Sequence, residues 1–246
     1  MRRLGGLARS LAIYYRPASM LRWRRFYKHL LAPGELVFDV GAHVGTRARA
    51  MRRAGARVVA LEPQALFAQF LKRTMPADII VLDLAVGRIR SDATLAVSSH
   101  HPTVSTLNTE FVSEAKSAAG FDHVKWDGAQ RVAVVTLDDL IDRFGPPRYV
   151  KIDVEGSEAD VLAGLSHPVP LISAEYLPAF PLLAVDLIEQ LAAMGNDRFN
   201  VVQGESGRFL WPDWRKADVA LEWLKSQCEA DVSGDIFACR TEDEQP

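Results

Sequence analysis

The 246-residue sequence has only two cysteines, Cys228 and Cys239, and they do not stand at a metal-ligand spacing. That excludes a disulfide scaffold and a cysteine zinc site. Both thiols are expected to be buried or incidental, in a reducing, cytoplasmic setting. A His-x-x-x-His pair is missing too. No apolar run approaches the roughly 20 residues that cross a bilayer, and LGGLARSLAIYY is too short and interrupted for a secretory segment. Internal repeats, low-complexity tracts and a strong domain break are missing, so one large domain, or one with short additions, is expected.

Acidic residues are missing from residues 1–30, which carry eight basic ones; the rest holds 21 basic against 31 acidic residues. Tyr14, Tyr15, Trp23, Phe26 and Tyr27 interleave with these basic side chains. The plainest reading is a helix packed on a sheet edge with its basic face in water. A lid over a ligand site, with arginine stems on the apolar body, is the second. Contact with a membrane surface is the third, while nucleic acid is not an expected partner. Residues 1–34 are thus read as a basic helical arm or lid, and 35–246 as the main domain.

The most informative stretch is LVFDVGAHVG at 36–45, followed by TRARAMRRAG. It reads as a buried strand, a glycine-bent turn and a helix start. The turn sets free N–H groups and a positive helix end beside the strand's carboxyl edge, a site for a polar ligand. The pattern is Asp-x-Gly-x-x-x-Gly, and the Gly-x-Gly-x-x-Gly that packs a dinucleotide pyrophosphate is missing. An acid ahead of the first glycine suits a ligand with an ammonium group, which S-adenosylmethionine has and NAD lacks. The second strand, ARVVALEP, ends in Glu62 and a helix-starting Pro63. An acid about 20 residues past the glycine turn is placed to accept both ribose hydroxyls. The plainer alternative for Glu62 is an exposed strand-end carboxylate.

Strands are expected at 36–40, 57–61, 79–85, 131–136, 149–153, 170–176, 199–203 and 235–240, with a short extra one at 93–98. Helices are expected near 20–31, 44–54, 64–74, LDDLIDRF, SEADVLAGL and 182–194. Ser157 is read as an N-cap, and a Trp- and charge-rich helical insertion separates the last two strands. This alternation predicts an α/β fold, Rossmann-like, with a doubly wound and mostly parallel sheet and an antiparallel C-terminal strand.

RYVKIDVEGSE at 148–158 ends a strand at Asp153, with Glu155 and Glu158 within a turn. PLISAEYLP ends another strand with Glu175. These carboxylates converge on one rim. Close like charges raise one another's pKa and make a general base, or hold a hard cation such as a divalent metal through oxygen. The plainer readings are that Glu158 favours a helix N-terminus and that Glu155 pairs with Lys151 or an arginine.

LVFDVGAHVG, VVALEP, VTLDDLI at 135–141, and KIDVEGSE followed by SAEY together resemble the FkbM family of S-adenosylmethionine-dependent methyltransferases, over about 36–176. The resemblance implies the class I methyltransferase fold. It implies methyl transfer to a hydroxyl of a sugar, a polyketide or another natural product, a small-molecule or glycan acceptor. It implies cofactor contacts at Asp39, Gly41 and Gly45, a ribose contact at Glu62 beside Pro63, and a substrate-facing rim at Asp153 and Glu155. His43 stands where the family often carries asparagine and puts an ionisable ring beside the cofactor turn. By analogy with the fold, Ala85 and Val86 flank the adenine, and Asp83 reaches its exocyclic amine if strand parity allows. A homodimer is the habit of the fold.

The polar loop 99–130 holds His100, His101, Ser105, Thr106, Asn108 and His123. Lone loop histidines are usually solvated, although His100 and His101 near a carboxylate rim would serve as base or metal ligands. The expected mechanism is in-line methyl transfer with a base among Asp153, Glu155 and Glu175. Two alternatives stay open: a nicotinamide-dependent oxidoreductase, and a non-catalytic binding protein on the same fold.

Overall fold

A computed structural model describes residues 2–118, 120–226 and 232–243. Cys228 lies outside them, whereas Cys239 is buried. Helices α1 (Arg2–Tyr14) and α2 (Pro17–Leu30) lead into β1 (Leu36–Val40), α3 (Thr46–Ala54), β2 (Arg57–Leu61), α4 (Ala65–Thr74) and β3 (Ile80–Leu82). Then come β4 (Ala85–Val86), β5 (Ser91–Val97), α5 (Thr109–Ala115), β6 (Gly128–Val135), α6 (Leu137–Phe144), β7 (Tyr149–Ile152) and α7 (Glu158–Ala163). β8 (Leu171–Tyr176), α8 (Pro181–Ala193), β9 (Arg198–Gln203), α9 (Ala217–Ser226) and β10 (Gly234–Cys239) complete the order.

The main sheet has seven strands in the order β3-β2-β1-β7-β8-β10-β9. β1, β2, β3, β7 and β8 pair in parallel, while β10 runs antiparallel to both β8 and β9. The expected antiparallel strand is therefore present, one place in from the edge. Side chains alternate across each strand. Leu36, Phe38 and Val40 of β1 pack in one core layer with α6, α7, α8 and α9. Val37 packs in the other with α2 and α3. Asp39 shares the parity of Val37 and faces that second layer.

Helix α2 of the arm packs on the body. Trp23, Phe26, Tyr27 and Leu30 of α2 are buried against α3 and the sheet. Each such side chain contributes about 1.5–3 kcal/mol by leaving water. Among the described residues, no helix is long and apolar enough to cross a membrane.

Two expectations are corrected. The strand expected at 79–85 breaks after Leu82. Ala85 and Val86 leave the main sheet and pair with β6, which also pairs antiparallel with β5 in a separate three-stranded sheet. Residues 99–130 hold a seven-residue helix, α5, whose N-cap Asn108 accepts from the Glu110 and Phe111 N–H groups. α6 covers LDDLIDRF as expected, closed by a capping box between Thr136 and Asp139.

Candidate active site

The strand order reverses between β1 and β7, and in such sheets ligands bind outside the carboxyl ends at that switch point. A cavity of about 350 Å³ opens there. Strand register explains its chemistry. Asp39 pairs with Lys151, and Lys151 with Ser173, in one row across β1, β7 and β8. Two residues farther on each strand, on the same face, stand Gly41, Asp153 and Glu175, with Asp235 opposite Glu175. Sequence neighbours at i+2 thus become a wall of acids at the strand ends.

Gly41 has φ +81, and a Cβ there would stand 1.7 Å from the Asp153 carbonyl oxygen. Only glycine lets β1 pass β7 at this point. Asp39 is fully buried, and neither carboxylate oxygen has a hydrogen-bond partner among the described residues. Burial raises its pKa, against the pull of Lys151. Glu62 is 2% exposed; its oxygens accept from the His43 N–H and the Gln64 N–H, both at 2.8 Å. Burial lifts it to about 7, against those two hydrogen bonds.

His43 sits at φ 48, a left-handed conformation that histidine and asparagine tolerate better than most residues. Its ring lies against Phe67 and edge-on to Tyr14, and its Nε2 is 3.0 Å from Ser10 Oγ. Burial lowers its pKa to about 4. The ionisable ring expected beside the turn is therefore neutral at pH 7.

Lys151 is buried and donates from Nζ to Asp153 Oδ2 at 2.7 Å, so its partner is Asp153 and not Glu155, as the plainer reading of Glu155 would have had it. Burial alone would lower the Lys151 pKa, yet Asp153, Asp39 and Asp235 outweigh it and hold it above the ordinary value. Burial would raise Asp153, but the Lys151 charge and hydrogen bond keep it below the usual range. Among the described residues, Glu155 and Glu175 have no such hydrogen-bonded cation. Burial first, and then neighbouring carboxylates, push both well above ordinary values. All three acids are recessed within the protein yet reach the cavity, and each offers an oxygen within 4.8 Å of the others.

Glu158 braces this turn: Oε1 accepts from the Val154 N–H at 3.0 Å and the Gly156 N–H at 3.3 Å. Ser157 occupies the N-cap position of α7 without a capping hydrogen bond and lines the cavity instead. Pro63, Ala85 and Val86 also line it. Two expected contacts stand elsewhere. Asp83 pairs with Lys72 Nζ at 2.8 Å and is 62% exposed. Gly45 begins α3 and abuts Met75 and Leu71 of the α4 end.

The loop histidines gather away from the acids: His101 Nδ1 meets Arg9 Nη1 at 2.6 Å, and its ring stands edge-on to His123. Ser105 does reach the cavity, Thr106 is buried, and Asn108 caps α5. Sequence reasoning missed Tyr14, Gln64, Arg47, Glu205 and Asp235 as lining residues. Glu205 accepts from Arg47 Nη1 and Nη2, Trp23 Nε1 and Ser19 Oγ, tying the segment after β9 to α2 and α3. An acid inside the apolar run GDIFAC was the one available signal for Asp235.

The cavity fits S-adenosylmethionine on two observations. A buried carboxylate whose oxygens have no close partner among the described residues, Asp39, suits a cationic group such as the cofactor's ammonium. Glu62 is fixed by backbone N–H groups at the end of β2, where a ribose is held in this architecture.

No curated protein matches the sequence. Among solved structures, a precorrin-6y C5,15-methyltransferase from Geobacter metallireducens GS-15 is 12% identical with a TM-score of 0.48, covering 90% of this chain and 88% of that one. A TehB-like S-adenosylmethionine-dependent methyltransferase from Corynebacterium glutamicum is 9% identical with a TM-score of 0.48, covering 94% of each. An O-methyltransferase from Bacillus cereus, in complex with S-adenosylhomocysteine, is 12% identical with a TM-score of 0.46, covering 96% and 90%. Residues 39–228 match the Methyltransferase FkbM domain family. With its glycine turn, strand-end acids and sheet order all within or beside that span, the chain belongs to the FkbM family of class I S-adenosylmethionine-dependent methyltransferases.

Proposed function

We propose that the protein methylates a hydroxyl oxygen of a small-molecule or glycan acceptor, such as a sugar, a polyketide or another natural product. The observation that carries this reading is the Glu155–Glu175 pair, two cavity carboxylates whose pKa values lie well above the ordinary range. Transfer to a hydroxyl requires a proton acceptor, and a base works best when its pKa lies near the working pH. When bound, S-adenosylmethionine would supply an electrophilic methyl group for the acceptor oxygen, with its thioether as the leaving group. Asp39 receives the ammonium group, Glu62 the ribose hydroxyls, and Ala85 and Val86 flank the adenine. Glu155 or Glu175, as the carboxylate, takes the hydroxyl proton. Asp153, held by Lys151, stays charged and orients the rim. Holding the two reactants in line contributes roughly 7–11 kcal/mol to such a reaction.

The test is a screen of hydroxyl acceptors with methyl-labelled cofactor, with products read by mass spectrometry and NMR. An O-methyl product, with turnover at least tenfold lower in E155Q or E175Q and unchanged by EDTA, supports the reading. N- or C-methyl products overturn it. A rate that requires a divalent cation reassigns the three carboxylates to a metal.

A further inference from the structure

The family match begins at residue 39, so α1 lies ahead of it. Yet α1 forms one wall of the cavity through Ile13 and Tyr14. It is docked on two sides. Toward the glycine turn, Ser10 Oγ meets His43 Nε2 at 3.0 Å. Just past the helix, Tyr15 Oη donates to the Val44 carbonyl at 2.9 Å and accepts from Arg49 Nε at 2.9 Å. Toward the polar loop, Arg9 Nη1 donates to the His100 carbonyl at 3.2 Å and meets His101 Nδ1. Gly6 packs so closely that a Cβ would stand 2.6 Å from the Ser99 carbonyl oxygen.

This docking sets Tyr14 in the wall of the cavity that Asp153, Glu155 and Glu175 also line. Its ring stands edge-on to His43, 5.3 Å between centroids. Its hydroxyl makes no hydrogen bond among the described residues, although Asp153, Glu155, Glu175 and Glu205 all act on it electrostatically. Burial first, and then those charges, raise its pKa, so the phenol keeps its proton and remains a donor. The strand-end acids around it accept protons or hydrogen bonds, whereas an acceptor that carries one oxygen to the acid pair can offer a second oxygen to a donor.

Building on the O-methylation reading, we propose that Tyr14 is an acceptor-positioning residue: its hydroxyl donates a hydrogen bond to a second oxygen of the acceptor, beside the one that loses its proton to Glu155 or Glu175. The acceptor class is then one with neighbouring oxygens, as in a sugar or other vicinal diol. α1 supplies this selectivity from outside the family-matched span.

Two simple probes test it: trans-1,2-cyclohexanediol and cyclohexanol, added to protein loaded with S-adenosylhomocysteine and followed by saturation-transfer NMR. The diol is expected to bind several-fold more tightly than the mono-ol to the native protein. In Y14F that preference falls by about three- to tenfold, the loss of one net hydrogen bond. Cyclohexanol binding and S-adenosylhomocysteine affinity stay within about twofold. G6A, which pushes α1 off Ser99 from outside the cavity, is expected to lose the same preference. A diol that fails to bind, or a preference that survives in Y14F, overturns the proposal. So does a Y14F loss confined to S-adenosylhomocysteine, which makes Tyr14 a cofactor contact. Failure of the O-methylation reading shows separately, as N- or C-methyl products.

Discussion

Replacing Asp39 with asparagine should strengthen the ligand-free protein and cripple cofactor binding at once. The native carboxylate is fully buried, neither oxygen has a close hydrogen-bond partner among the described residues, and the charges of Lys151 and Arg47 and the Ala48 N–H only partly offset its desolvation. An unsatisfied buried polar group costs about 1–3 kcal/mol, and a charged one more. Lys151 keeps its hydrogen bond to Asp153, so removing the Asp39 charge does not strand the lysine. We expect D39N to gain about 1–2 kcal/mol at pH 7, or roughly 2–8 °C in Tm for a chain of this size. The opposite effect falls on binding. Removing one partner of a buried charge pair costs about 2–5 kcal/mol, roughly 30-fold or more in Kd for S-adenosylhomocysteine. The Asp39 pKa is raised on folding, so the native protein recovers stability as pH falls and the carboxyl takes a proton. The Tm gap between the two proteins should therefore close on acidification. Thermal melts across pH and calorimetric titration measure both halves. A D39N protein that is less stable when ligand-free, yet binds with native affinity, would refute the reasoning.

E62A should weaken S-adenosylhomocysteine binding by more than tenfold, measured by titration; native affinity would remove Glu62 from the ribose site. Acidification of the ligand-free protein from pH 8 to pH 6.5 should raise its Tm, because burial holds Glu62 and Glu158 at about 7 and unfolding returns them to ordinary carboxylate values. The native state takes up the extra protons in that window, and the gain is lost as pH rises through 7. His43, held near 4, opposes this only below its ordinary value of 6.5, so a flat or falling Tm above that pH counts against the assignment. H43V should cost about 1–3 kcal/mol in urea unfolding, since a β-branched residue resists φ 48, whereas H43N should cost less. Equal losses in the two variants would show that backbone conformation is not what histidine provides there.

The parts of the fold written in local pattern were legible. β1 matches its apolar run residue for residue, and α6 is bracketed by its capping box and Gly145. β4 was hidden because Ala85 and Val86 continue an apolar run, and only pairing with distant β6 pulls them into another sheet. α5 was hidden by its length of seven residues, too short to show a period. Within the site, Asp39, Glu62, Asp153, Glu155 and Glu175 could be picked out as strand-end or turn acids. Their different electrostatic states could not, because those depend on where Lys151 Nζ points. A sequence offers Lys151 two acids, at i+2 and i+4, which share one strand face; the strand ends at Ile152 and Glu155 turns away at φ 59, so Asp153 is the partner. Tyr14 stood out only as one of the arm's aromatics under the lid reading, since its place in the cavity wall follows from how α1 docks on residues 43–49 and 99–101.

The position of β10 bears on how the chain acquires its activity during synthesis. Residues 234–239 follow every other strand in sequence yet lie between β8 and β9. Until they emerge from the ribosome, β8 exposes an open edge and β9 has no partner in the main sheet. Such edges invite pairing with other chains, and domains made at about 5–20 residues per second leave them exposed for seconds. Asp235 arrives with the same strand, so the cavity wall is completed only when the sheet is. A nascent chain stalled ahead of β10 should engage holding chaperones and fail to retain S-adenosylhomocysteine, even with the glycine turn and Glu62 already made.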